Sequence, residues 1–219
     1  MATPQKLTVK GQATRERILR SAAELMYVKG VHGTNNEAVR RAAGVSGSQL
    51  NHYFPDKESL VLAVVGMRAE QVLDLHAGER FSGLDSIEAL RRWAGFFIAY
   101  EGACQQGCTF GSLAGEIVKT DLVVREQLAE GFGQWADIFR AGLARMRDSG
   151  VLRAEADPGR LAHLLLAAFQ GGMLLAQATR EITSLQDALT AAIDYIETFE
   201  VKSESGRARR DFGEHNTRK

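Results

Sequence analysis

HGTNNEAVRRAAGVSGSQLNHYFPDKESL, residues 32–60, reads as two short helices joined by a glycine turn and closed by an aromatic corner. Ala38, Val39, Ala42 and Ala43 supply a small apolar face, Gly44 suits the positive φ of such a turn, Val45 plugs the corner, and Ser46 is placed to cap the second helix. That helix offers Gly47, Ser48, Gln49, Asn51, His52 and Tyr53 and keeps only Leu50 and Phe54 for a core. Short polar side chains on a helix so anchored suit a surface that enters a DNA major groove and reads base edges. For His52-Tyr53-Phe54 the competing reading is an aromatic cluster that locks this helix onto the one before the pair; Phe54 belongs to that cluster and Tyr53 fits either role.

Outward from this unit the pattern is helical almost throughout, with no convincing strand. Thr14 is expected to start an amphipathic helix with Ile18, Leu19, Ala22, Ala23, Leu25 and Met26 inward, ended by Lys29-Gly30. Pro55-Asp56 breaks the chain, Asp56 caps, and a long helix runs from Lys57 to Leu75; residues 77–84 read as a loop. A helix from Ser86 carries Leu90, Trp93, Phe97 and Tyr100, after which Gly102, Gly107 and Gly111 mark a bend or loop. Leu128, Phe132, Trp135, Phe139, Leu143 and Met146 form the stripe of a buried helix that stops at Gly150. Asp157-Pro158 opens a helix that is apolar around nearly its whole circumference and so needs cover on two sides, and Ser184 is expected to cap a last helix reaching Phe199. The fold class is therefore all-α: an N-terminal three-helix head over residues 1–56, a helical body over 57–200, and a tail over 201–219 without periodicity, expected to be disordered.

The chain has 219 residues, 45% of them hydrophobic, and zero formal net charge. Charge is unevenly spread. Residues 1–60 hold nine Lys and Arg against five Asp and Glu, residues 61–200 twelve against nineteen, and residues 201–219 six against three. A basic head on an acidic body is the footprint that phosphate binding needs, though surface scatter can produce the same imbalance. With no signal-peptide core in MATPQKLTVKGQ and no long uncharged apolar stretch recognised, a cytoplasmic protein that does not engage a membrane is expected.

The head resembles that of the TetR family of bacterial transcriptional repressors, on TRERILRSAAELMYVKG, on Gly33-Thr34, on AAGVSGSQLNHYF at 42–54 and on the DKESL that opens the fourth helix. GCTFGSLAGEI at 107–117 further resembles a subgroup with a Gly-Cys motif there. The chain departs from the family pattern at Asn35-Asn36, where Thr or Ser and then an apolar residue are common, at Arg40, where a small residue usually packs, and at Asn51, a frequent tyrosine. The resemblance implies a homodimer on double-stranded DNA with a near-palindromic operator, released by a small-molecule effector. By position it implies that Gly47, Ser48, Gln49, Asn51 and His52 face the major groove while Thr34, Tyr53 and Lys57 hold phosphates. Gln49 and Asn51 have the amides for bidentate pairing with adenine. The two C-terminal helices are the expected dimer surface, the competing reading being that they only complete the monomer core.

Candidate effector contacts are Trp93, Phe96, Phe97, Tyr100, Phe110, Trp135, Phe139, Phe169 and Met173, with Gln170 and Gln177 as polar anchors, and they point to a lipophilic or aromatic ligand. Cys104 and Cys108 are read as small thiols lining that pocket, against a thiol-sensing alternative. The five histidines show no metal-ligand spacing with these sulfurs, so neither metal nor cofactor is expected. No nucleophile elbow, zinc-protease helix, phosphate loop or dinucleotide fingerprint is found, and no enzyme is expected. The alternative function is an all-helical small-molecule-binding protein or enzyme without DNA binding.

Overall fold

The structure, a computed structural model, describes residues 7–81, 83–117 and 122–201; of the tail expected to be disordered, 201–219, Val201 is described and its N–H donates to the Val151 carbonyl at 2.9 Å, while 202–219 lie outside the described residues. The first helix, α1 (Val9–Gly33), starts earlier than Thr14 because the Thr8 hydroxyl accepts the Gly11 N–H at 3.2 Å. Thr14 is instead an interior residue whose hydroxyl donates to the Lys10 carbonyl. Lys29-Gly30 does end the regular run: Gly30 has φ 74° and ψ 164°, a conformation that L side chains resist, and one further turn reaches Gly33.

Helices α2 (Asn36–Ala43) and α3 (Gly47–Tyr53) meet at Gly44, which sits in the left-handed region at φ 61°, ψ 45°. Val39, Ala43, Val45, Leu50 and Phe54 are buried against Ile18, Leu19, Ala22 and Met26 of α1. Ala42, expected on that face, is exposed, since only positions one turn apart, 39 and 43, point squarely inward. Arg17 reaches across from α1 to donate to the Ala43 carbonyl at 2.8 Å, satisfying one of the free acceptors at the end of α2.

Asp56 and Ser59 form a reciprocal cap for α4 (Lys57–Ala77), which leaves the head and runs into the body. A single 3-10 turn at Glu79–Phe81 interrupts the expected loop. Then come α5 (Ile87–Ile98), capped by Ser86, the short α6 (Gly102–Gln106) and α7 (Thr109–Ile117), broken from each other at Gly107, and the long α8 (Leu122–Asp148). Tyr100 falls just beyond α5. Asp157 caps α9 (Pro158–Thr179) through the Gly159 and Arg160 N–H groups. The last helix, α10 (Thr183–Glu197), has no side-chain cap, because it begins at Thr183 and so leaves Ser184 inside its first turn. Among the described residues the only β pairing is an isolated bridge between Leu152 and Glu200.

The body core gathers Trp93 of α5, Trp135, Phe139, Leu143 and Met146 of α8, Phe169 of α9, and Leu189 and Ile193 of α10. α9 is also, by length and apolarity, long enough to cross a membrane, which corrects the expectation that no such stretch exists. Here it packs against α8 and α10 through Leu161, Leu165, Phe169, Met173 and Ala176. Its other face is uncovered within one chain, with Leu174 66% and Leu175 52% exposed, so the expected cover on two sides is met on one.

Two glycines of α8 give a test with opposite signs. A methyl on Gly142 would meet the Leu84 carbonyl, so Gly142→Ala is expected to cost about 1–3 kcal/mol. One on Gly133 meets nothing, so Gly133→Ala is expected to gain about 0.5–1 kcal/mol. Urea unfolding that moved both variants in the same direction would contradict this packing.

Candidate DNA-reading surface and ligand cavity

Within the head, Gly47, Ser48, Gln49, Asn51 and His52 are all exposed on α3 while Leu50 and Phe54 hold it down. Ser46 and Gln49 form a full reciprocal cap: the Ser46 hydroxyl accepts the Gln49 N–H at 3.2 Å and the Gln49 Oε1 accepts the Ser46 N–H at 3.0 Å. The Gln49 side chain is therefore already half committed, and bidentate pairing with a base requires it to leave this cap. The Ser48 hydroxyl lies 3.0 Å from that of Ser46. Tyr53 is half-buried against the core, edge-on to His52 at 4.9 Å, and the Arg15 guanidinium lies 5.3 Å over the Phe54 ring. Lys57 opens α4 beside this corner.

Thr34 does not sit with these residues. It is 1% exposed and its hydroxyl donates to the Gly30 carbonyl at 2.9 Å, closing the end of α1, so it presents nothing to a phosphate. The departures from the usual pattern have local explanations. Asn35 caps α2 by accepting the Ala38 N–H, Asn36 is exposed, and Arg40 pairs with Glu37, holding that carboxyl below its ordinary range chiefly through their hydrogen bond.

In the body, a cavity of about 300 Å³ opens between α4, α5, α8 and α9. Of the residues expected to line it, Phe96, Phe97, Tyr100, Cys108, Trp135, Phe169 and Met173 do so. Trp93, Phe110 and Phe139 do not, being packed on all sides; Cys104 is also outside the wall, and Gln170 and Gln177 face a neighbouring hollow beside Tyr27 and Glu116. The wall also includes Val72, Leu75 and Gly107 and the polar Arg68, Gln71 and His76 of α4 and Gln106 and Thr109 of the α6–α7 junction, and periodicity gives no reason to choose the polar five.

His76 is the chemical centre of that wall. It is 3% exposed; its Nε2 lies 3.0 Å from the Trp93 indole nitrogen and 3.2 Å from that of Trp135, and its Nδ1 lies 2.7 Å from the Val72 carbonyl. An indole N–H only donates, so Nε2 must accept and the proton must sit on Nδ1, donating to Val72. Two donors share one lone pair. Burial holds the His76 pKa below its ordinary value, with the Val72 contact pulling the other way.

Cys104 and Cys108 are both free, and the break at Gly107 puts them on different segments. Burial pushes the Cys108 thiol up, against the opposing hydrogen bonds from Gly111 and Gln170, so it stays protonated and a poor nucleophile. Among the described residues no group of His, Cys, Asp and Glu is arranged to hold a metal.

The carbonyls at the end of α6 join this cavity to the head. Tyr27 of α1 donates to the Gln106 carbonyl at 2.8 Å, Gln177 reaches the same oxygen, and Arg180 donates to those of Cys104 and Gln105. One helix later, Glu116 accepts the Val31 N–H at 2.7 Å, across the gap that Gly30 leaves by lacking a side chain.

A helix-turn-helix head carried on a helical body with an apolar cavity defines a DNA-binding regulator of the one-chain, sensor-plus-reader kind. Comparison with known proteins agrees. Residues 18–64 match the family described as bacterial regulatory proteins, tetR family, and residues 84–192 match the Tetracyclin repressor-like, C-terminal domain. The chain is 26% identical over 193 residues to the HTH-type transcriptional repressor DhaR of Mycobacterium sp. (strain GP1), covering 83% of this chain and 91% of that one. It resembles the crystal structure of a TetR transcriptional regulator from Chloroflexus aurantiacus with a TM-score of 0.74 and 29% identity over 86% of this chain and 96% of that one. A TetR-family regulator from Cytophaga hutchinsonii shares the fold, with a TM-score of 0.80 at 20% identity over 90% and 100% of the two chains. This chain belongs to the TetR family of transcriptional regulators, a class that is not enzymatic.

The state of His76 gives a pH test. Its folded pKa lies below the ordinary 6.5, so the unfolded chain takes up a proton that the folded one refuses. Stability is then at full strength above about pH 6.5 and falls as the pH drops below it. Melting temperatures are expected to decline between about pH 6.5 and 5.5, and less steeply in His76→Gln. An unchanged slope in that variant would remove His76 as the cause.

Proposed function

We propose that this regulator is a cytoplasmic homodimeric repressor that binds a near-palindromic operator and is released from it by a small lipophilic or aromatic effector. The observation that carries the reading is the exposed polar face of α3, held to the head by Leu50 and Phe54 alone. Residues 1–56 act as the DNA-binding domain and 57–200 as the ligand-binding and dimerisation domain. Ser48, Asn51 and His52 read bases, Gly47 lets the backbone approach, and Gln49 joins them once its cap opens; Tyr53 and Lys57 hold phosphates. Repression rather than activation is supported by the similarity to a relative whose name is that of a repressor.

The dimer forms on the uncovered side of α9, where Leu164, Ala168, Gly171, Leu174 and Leu175 follow a helical stripe, together with Tyr195 of α10. The effector enters the cavity on α4 and favours the form in which the two heads are wrongly spaced, its leverage limited to its differential affinity for the two forms. Two routes lead from cavity to head. One is α4 itself, from His76 back to the Asp56 cap; the other runs from Gln106 through Tyr27 to α1.

Mobility shifts on the DNA upstream of its own and neighbouring genes, at two salt concentrations, test this. Binding is expected to be specific and to weaken steeply with salt. Asn51→Ala is expected to lose about 1–3 kcal/mol of discrimination at one base position with unchanged thermal stability, while Lys57→Ala weakens all sequences alike. Salt-insensitive or sequence-blind binding, or a concentration-independent monomer in sedimentation, would refute the proposal.

A further inference from the structure

The cavity wall is chemically lopsided. Among its described residues Arg68 is the only side chain charged at neutral pH, since no Asp or Glu lines it and His76 is neutral with both ring nitrogens engaged. Arg68 is half-buried and donates to the Gln71 Oε1 at 2.9 Å. Among the described residues it forms no ion pair; Glu24 and the Tyr27 phenol influence it only at a distance, and burial works against its charge. A guanidinium has five donors in a planar fork, and here only one bond is made to a neutral amide, so most of that fork is unspent. Phe96, Phe97, Trp135, Phe169 and Met173 form an aromatic and thioether sleeve within the wall, whose other polar groups, Gln71, Gln106 and Thr109 among them, are neutral. Arg68 and His76 lie eight residues apart on α4, about 12 Å along its axis. The polar cation is thus at one end of the sleeve and the indole-imidazole junction at the other.

We infer that the cavity takes an elongated aromatic acid, its carboxylate or ionised phenol paired with Arg68 and its ring system lying in the sleeve. This rests on the reading of the cavity as the effector site. A carboxylate satisfies the fork in a bidentate pair, and the half-buried position beside aromatic rings strengthens that pair relative to one at the surface. A neutral ligand of the same shape would fill the sleeve but leave the half-buried cation uncompensated. A cationic one would meet repulsion from Arg68, with no Asp or Glu among the described lining residues to receive it.

The test is titration calorimetry on the full chain with biphenyl-4-carboxylate and its neutral isostere, biphenyl-4-carboxamide. The acid is expected to bind about tenfold tighter or more. Arg68→Gln should erase that preference while leaving the amide's affinity unchanged, and Arg68→Lys should restore part of it. Met173→Trp, which fills the sleeve, should abolish binding of both. Equal affinity for acid and amide in the unaltered protein, or a preference that survives Arg68→Gln, would overturn the inference while leaving the cavity as the binding site. Binding that is indifferent to Met173→Trp, or no binding of either probe, would overturn the effector-site reading and the inference with it.

Discussion

A single buried imidazole sets the geometry of the body. His76 lies near the end of α4, and its partners come from that helix's own backbone, from α5 through Trp93 and from α8 through Trp135. A buried polar group without partners costs about 1–3 kcal/mol, so all three helices are constrained to the distances that keep these bonds. Phe81, Phe97 and Phe139 pack around the same ring, which turns a polar junction into the centre of the aromatic core. The cavity begins where that core stops, with Trp135 and His76 on its boundary. α4 carries the head at its opposite end, so this junction and the head share one continuous helix of 21 residues.

The second tie between body and head is made of backbone acceptors. A five-residue helix cannot satisfy its own last carbonyls, and α6 leaves three of them to Tyr27, Gln177 and Arg180. α7 then returns a carboxylate, Glu116, to the N–H of Val31 just past the kink in α1. The glycines that weaken helix propensity at 102–111 thus make a short, broken segment whose unsatisfied ends become the connection.

Helix limits were legible where a single local residue decides them. Ser46, Asp56, Ser86 and Asp157 cap as their chemistry suggests, and Gly44 and Gly150 stop their helices with positive φ. Thr8 caps α1 without any apolar periodicity before Thr14 to signal it, and Ser184 does not cap because its helix starts without any side-chain cap. The exposed face of α3 followed from the scarcity of apolar residues on it, but whether a given polar side chain is free did not. Thr34 is buried under the kink that Gly30 makes, and Gln49 is folded onto its own helix. In the body, periodicity finds rings that face inward without telling which border empty space: Phe96 and Phe169 line the cavity, Trp93 and Phe139 do not. The role of His76 was out of reach because its indole partners are 17 and 59 residues away.

If α3 is the reading surface proposed above, the Gln49 cap bears on how the protein samples a genome. Opening it gives up a hydrogen bond worth about 0.5–1.5 kcal/mol, a sum recovered only where an edge atom offers that amide a better partner. In the base-reading role proposed for α3, that side chain would stay folded away on arbitrary sequence and leave attraction to the DNA phosphates, deferring engagement until a matching address is met. The resting conformation of one glutamine would then separate scanning from commitment.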